Sequence, residues 1–301
     1  MGGKAFEGVT RRILRQEIEH TLFWLEKKWP DYTLNKTSEL REAMLGSAGK
    51  NPDSGDIDLN LEITRYDQAK VASQLIAFLG EDHVKPRPGN NQIFTAVPID
   101  GNPDNGYVQI DFMFGNFEWQ EFSYFSPALT LASIPWYRQP QDTSNYKGLY
   151  RTEMIKAIVA FNSDWVLEDD GKVIARVGPT FFHDRGCVWR YRYRPMRKDG
   201  KGRVQDFKEV SKDEFLQIFP SALPATREVI NDPALMPELL FGERPYLNGS
   251  EMKTIEGLWM TCRRIYTWED CNTIRNIYHE RLNSLKVEIP DSFKDLGLQV
   301  K

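Results

Sequence analysis

Cysteine is scarce in this chain. Three residues, Cys187, Cys262 and Cys271, stand among 301, too few and too scattered for a disulfide framework, so a reducing, cytoplasmic setting is expected. Long apolar runs are missing as well. No stretch approaches the ~20 residues that span a bilayer, and the opening MGGKAFEGVTRRILRQEIEH carries charges throughout, without the apolar segment of a secretory leader. No membrane partner is expected. A formal net charge of −4 gives no global reason to expect nucleic acid or membrane binding, although such a balance conceals local patches of either sign. Histidine is limited to four residues, and no Ser-His-Asp or Cys-His grouping stands out. Cys262, Cys271 and His279 lie near one another. On one continuous helix, however, nine residues leave two side chains about half a revolution apart, so packing cysteines are expected rather than zinc ligands.

What the chain does have is core. With 41% hydrophobic and 12% aromatic residues it can bury a substantial interior, and its length suggests two domains or one elaborated domain. Val9, Ile13, Ile18, Leu22 and Leu25 recur at helical spacing from Phe6 to Lys28, predicting a helix ended by Trp29-Pro30. GDIDLNLEI alternates strictly, with Ile57, Leu59, Leu61 and Ile63 on one side, and predicts a half-buried strand. YDQAKVASQLIAFLG reads as a helix closed by Gly80; NQIFTAVPI and YVQIDFMFG read as strands joined by a turn-rich DGNPDNG. The aromatic-rich stretch after Gly115 reads as packing, with one ring free to stack on a base. A boundary between about 125 and 150 follows, giving residues 1–125 and an accessory region 126–301. That region starts with a predicted helix in LYRTEMIKAIVAFNSDW. Short strands around KVIARVGPTFFHDRGCVWRYRYRP come next, and helices close the chain in MKTIEGLWMTCRRIY and WEDCNTIRNIYHERLNSLKV. The fold class is therefore α+β: a mixed sheet with flanking helices, then a β-containing and finally helical region.

The stretch LGSAGKNPDSGDIDLNL invites a phosphate-loop reading because of its Gly49-Lys50 pair. Such a loop needs a glycine five residues before that pair and a Ser or Thr after the lysine. Met44 and Asn51 stand there instead, and the reading is rejected. A metal reading fares better. Asp56 and Asp58 fall on one face of a strand, two adjacent carboxylates repel, and an oxygen-only donor set suits magnesium or manganese. In YVQIDFMFG, Val108, Ile110, Phe112 and Phe114 form the buried side, so Asp111 projects from the other with Gln109. If the two strands share a sheet, three carboxylates converge.

In this combination, LGSAGKNPDSGDIDLNL followed by VQIDFM resembles the DNA polymerase beta-like nucleotidyltransferase superfamily over residues 35 to 115, as a template-independent and phage-encoded type of member. The resemblance implies a nucleotidyltransferase-fold sheet. It implies Mg2+ or Mn2+ held by Asp56, Asp58 and Asp111, with these three as catalytic residues and a nucleoside triphosphate as substrate. It places Gly46 and Ser47 at the triphosphate through backbone N–H groups and a hydroxyl. A cation for the triphosphate would come from Lys147 or Arg151, at the start of the predicted helix, or from Lys50.

Arg190, Arg192 and Arg194 share one face of a predicted strand, and Trp189, Tyr191 and Tyr193 the other. The arginines could track a phosphate backbone and exposed rings could stack on bases; the alternative is a solvated face above an aromatic core. Nucleotidyl transfer to RNA is the leading expectation. The same chemistry on a protein or small molecule, and a non-catalytic viral assembly or binding protein retaining the fold, are the alternatives.

Overall fold

The structure is a computed structural model. It describes residues 5–29, 40–50, 52–124, 148–163, 165–200, 202–222, 228–244, 246–247, 252–289, 293 and 296–298. The chain forms two compact units, Met1–Gly148 and Leu149–Lys301, and the class is α+β.

In the first unit, β1 (Ile13–Leu14) leads into α1 (Arg15–Lys28), and β2 (Asp53–Ser54) pairs antiparallel with β1. The helix starts nine residues later than its periodicity predicts. Leu14 is extended and paired with Asp53, and Glu17 caps the helix by accepting the Leu14 N–H at 2.8 Å. Then follow β3 (Asp56–Glu62), α2 (Gln68–Leu79), β4 (Val84–Arg87), β5 (Gln92–Pro98), β6 (Tyr107–Gly115) and α3 (Phe117–Ser123). The Asp67 carboxylate accepts the Lys70 N–H at the start of α2, and Gly80 ends that helix at φ 90°. The four-stranded sheet runs β3-β6-β5-β4, with β3 parallel to β6 and the other pairs antiparallel. The strands expected from alternation form as read. The short edge strand β4 carries no such pattern in VKPR and went unforeseen.

Ile57, Leu59 and Leu61 are buried, as are Ile110, Phe112 and Phe114; with Leu22 and Leu25 of α1, Trp29 just past its end, and Val71 and Leu75 of α2 they make one continuous core. Each such side chain contributes about 1.5–3 kcal/mol. Ile63, expected on this face, is 50% exposed because β3 ends at Glu62 and the chain turns. Both long helices occupy one face of the sheet, and the three aspartates lie on the other.

The second unit comprises α4 (Gly148–Ser163), β7 (Trp165–Asp169), β8 (Lys172–Phe182), β9 (Gly186–Tyr193), β10 (Lys208–Val210), α5 (Lys212–Ile218), β11 (Val229–Ile230), α6 (Met236–Phe241), α7 (Ile255–Ile265) and α8 (Trp268–Ser284). Asp170 and Gly171, both at positive φ, make the tight turn between β7 and β8, the conformation that suits a twisted hairpin. The antiparallel sheet runs β10-β9-β8-β7, with β11 also on β9. Ala175, Val177 and Tyr191 pack on Phe215 and Phe219. The tyrosine side of β9 is therefore core, and Tyr191 is not available as a stacking platform.

The cysteines correct a sequence expectation. The helix over Cys262 and Cys271 is not continuous: it breaks at Tyr266–Thr267, and Thr267 caps α8 by accepting the Asp270 N–H at 3.2 Å. The two thiols are consequently neighbours instead of lying on opposite faces, and burial, then Cys271, push the Cys262 thiol up. Both are buried. Among the described residues no helix is long and apolar enough to cross a membrane.

Candidate metal centre

Register assembles the candidate centre. β3 lies directly beside β6 with Asp58 opposite Asp111 and Asp56 opposite Gln109, and opposed residues of a parallel pair project to the same face. One carboxylate oxygen from each of Asp56, Asp58 and Asp111 lies within 4.8 Å of the others. No other group of three His, Cys, Asp or Glu side chains meets this condition among the described residues.

The segment ahead of β3 closes the near side of the cluster. Leu45 donates its N–H to the Asp58 carbonyl at 2.9 Å and Asn60 donates to the Ala43 carbonyl at 2.8 Å, so residues 43–45 run along the edge of β3. The chain then turns at Gly46, whose φ of 66° suits glycine. A Cβ there would stand 3.1 Å from Asp58 Oδ2, closer than nearly all real contacts, so the turn backbone presses against the carboxylate itself. Asp58 is half-buried as a residue, and its carboxylate is the enclosed part. Ser47 is exposed and its carbonyl accepts the Lys50 N–H at 3.1 Å. Lys50 folds back to donate from Nζ to the Gly46 carbonyl. Burial pulls its ammonium below the usual lysine range, against the opposing charge of Glu121. Lys50 thus spans and fastens the turn.

Electrostatics follow from this crowding. Burial first, then the charges of Asp56 and Asp111, hold the Asp58 carboxyl well above the usual range. Burial pushes Asp111 up to about 7 against a hydrogen bond from Gln109 that favours the charged form, and Asp56 raises it further. Gln109, itself buried, donates from Nε2 to Asp111 Oδ1 at 2.7 Å and accepts the Ala5 N–H on Oε1 at 2.9 Å. An amide held at both ends thus positions Asp111 Oδ1.

A divalent cation fits this set. Three carboxylates crowded together, with Asp58 and Asp111 held above the usual range by burial and by their neighbours' charge, form a donor group that a hard cation stabilises, and every donor is an oxygen. Asp56, Asp58 and Asp111 would hold it.

The remaining sequence candidates are placed unevenly. Lys147 lies outside the described residues. Arg151 belongs to the second unit, where it is 2% exposed and donates from Nε to the Met252 carbonyl; burial lowers its guanidinium to about 9. Arg190, Arg192 and Arg194 sit on the second unit's sheet. Arg12 was missed. Its Nη2 pairs with Asp53 Oδ1 at 2.8 Å, and it also feels the charge of Asp56. No motif marks a residue so far from Asp56 in sequence; pairing of β1 with β2 delivers it.

No family model matches the chain, and no curated protein matches it either.

Proposed function

We propose that this chain is a metal-dependent nucleotidyltransferase, moving a nucleoside monophosphate from a nucleoside triphosphate to an acceptor hydroxyl of RNA. The observation that carries the reading is the convergence of three carboxylate oxygens within 4.8 Å beside a glycine turn, in the order of motifs that resembles the DNA polymerase beta-like superfamily. A bound divalent cation supplies Lewis-acid stabilisation of the phosphoryl oxygens and lowers the acidity barrier of the attacking hydroxyl.

The residues of the chain do the rest. Asp56 and Asp58 present their carboxylates from alternate positions of one rigid strand, a placement that needs no reorganisation on binding. Gly46 and Ser47 offer backbone N–H groups to the β and γ phosphates, and Lys50 keeps that turn in shape. Asp111, oriented by Gln109, takes the proton as the acceptor oxygen forms its bond to the α-phosphorus and the bond to the pyrophosphate oxygen breaks. Arg12 stands where a further cation would meet a phosphate near Asp56.

The test is labelling. The protein is incubated with each α-labelled nucleoside triphosphate, magnesium or manganese, total RNA and protein extract. Label is expected in RNA, and Asp58→Asn is expected to bring it to background. Label confined to protein or a small molecule would move the acceptor to that class, and label that survives Asp58→Asn would overturn the metal assignment.

A further inference from the structure

The aspartate face of the first unit's sheet continues past the candidate centre. Register sets one row across it: Asp58 of β3, Asp111 of β6, Phe94 of β5 and Lys85 of β4. Residues so opposed project to the same face, so Phe94 stands beside Asp111 with about 5 Å between the two Cβ atoms. Ile93, its neighbour in β5, belongs to the buried core on the helix side, whereas Phe94 is half-buried on the opposite side. A phenylalanine placed there adds nothing to that core.

Two sets of contacts flank the ring. On the side of Gln109 runs the Ala5–Phe6 segment: Ala5 donates its N–H to Gln109 Oε1 at 2.9 Å, and Lys85 Nζ donates to the Ala5 carbonyl while lying 4.4 Å from the Phe6 centroid. Lys85 is therefore committed to holding that segment, and Ala96, the next residue of β5 on this face, is fully buried. On the other side Arg87 ends β4 opposite Gln92, exposed, with its guanidinium carbon 5.9 Å from the Phe94 centroid. That separation is at the margin of a cation–π contact, and an exposed side chain at such range gives way readily to a base.

Transfer geometry gives this ring a use. The attacking and leaving oxygens at the α-phosphorus lie roughly in line. The Gly46 turn, which takes the leaving pyrophosphate in the nucleotidyl-transfer reading, stands against Asp58 at the outer edge of β3. The acceptor then approaches from the opposite direction, over β6 from the side of β5, where Phe94 lies. We propose that Phe94 is the stacking platform for the 3′-terminal base of the acceptor RNA, which brings the ribose hydroxyl to Asp111, with Arg87 beside the ring for the adjoining phosphate. A flat ring accepts any base by stacking, and a planar guanidinium suits phosphate oxygens. A serine or threonine acceptor on a protein would gain nothing from the ring. The direction of approach and the choice of RNA rest on the nucleotidyl-transfer reading; the position of the ring beside Asp111 does not.

Photocrosslinking tests it. Two single-stranded RNA 8-mers, one with 5-iodouridine at the 3′ end and one with it at the 5′ end, are irradiated with the full chain in EDTA, and the products are mapped by mass spectrometry. The 3′ probe is expected to crosslink at Phe94 and the 5′ probe is not. Anisotropy of a labelled RNA 8-mer, again in EDTA, is expected to show affinity weakened about fivefold or more by Phe94→Ala and kept or tightened by Phe94→Trp. Absence of RNA binding at low salt overturns the proposal, as does a 3′ crosslink elsewhere, an equal yield at Phe94 from the two probes, or an affinity unchanged in Phe94→Ala. Should Phe94→Ala fail to fold by circular dichroism, the wild-type crosslink and Phe94→Trp still decide. Because EDTA removes the transfer reaction, a crosslink at Phe94 keeps the platform even if labelling fails. Label in RNA without this crosslink overturns the platform and leaves the transfer reading standing.

Discussion

Asp111 concentrates the chemistry of single residues in this protein. Its carboxyl is raised from 3.8 to about 7, chiefly by burial, so the folded chain without metal holds a proton that the unfolded chain has lost. Stability from this group is fully present below about pH 3.8 and is lost as pH rises through about 7. The shift corresponds to about 4 kcal/mol. In EDTA, Asp111→Asn and wild type are therefore expected to unfold at similar urea concentrations at acid pH. At pH 8 the variant is expected to be more stable by a few kcal/mol. A difference that did not grow with pH would remove the buried carboxyl from the account. Asp56, Asp58 and Asp111 were each readable as residues because alternation assigns a side chain to a face. That Asp58 stands against the Gly46 backbone was not readable, since the contact depends on a turn whose φ no spacing specifies.

Elements were legible where a single interaction dominates. β3, β5 and β6 follow from strict alternation, and α2 from its apolar repeat with Asp67 and Gly80 at its ends. They were misread where two interactions compete. Helical periodicity over residues 6–14 loses to strand pairing of Ile13–Leu14 with Asp53–Ser54. The break between α7 and α8 falls between the two segments read as separate helices, against the single continuous helix assumed for the cysteines, and a local cap sets it. Thr267 and Asp270 reciprocate, side chain to backbone, across the start of α8. Thr267→Ala is expected to cost about 1 kcal/mol and Thr267→Ser much less, measured by urea unfolding. Equal stability of all three chains would mean that the break is imposed by packing alone.

At the scale of the molecule, each unit carries its own buried cluster, one beneath the mixed sheet and one between the antiparallel sheet and α5. The Asp cluster belongs wholly to the first. A cation that binds only the folded state stabilises it by about 2.7 kcal/mol at a hundredfold excess over its dissociation constant. Manganese at that level is expected to raise the thermal midpoint of the full chain by about 5–10 °C, and Asp111→Asn to abolish most of the rise. A midpoint indifferent to manganese would count against the centre.

The sequence by itself determined the α+β class, three of the four strands of the mixed sheet, and the face on which each aspartate projects, because strand periodicity ties position to direction. Tertiary structure alone decided that Asp58 and Asp111 stand side by side, that Arg12 pairs with Asp53 just ahead of the cluster, and that Arg176 stands opposite Arg192. Those placements depend on which strands pair and in what register, and pairing is a property of the whole core rather than of any segment within it.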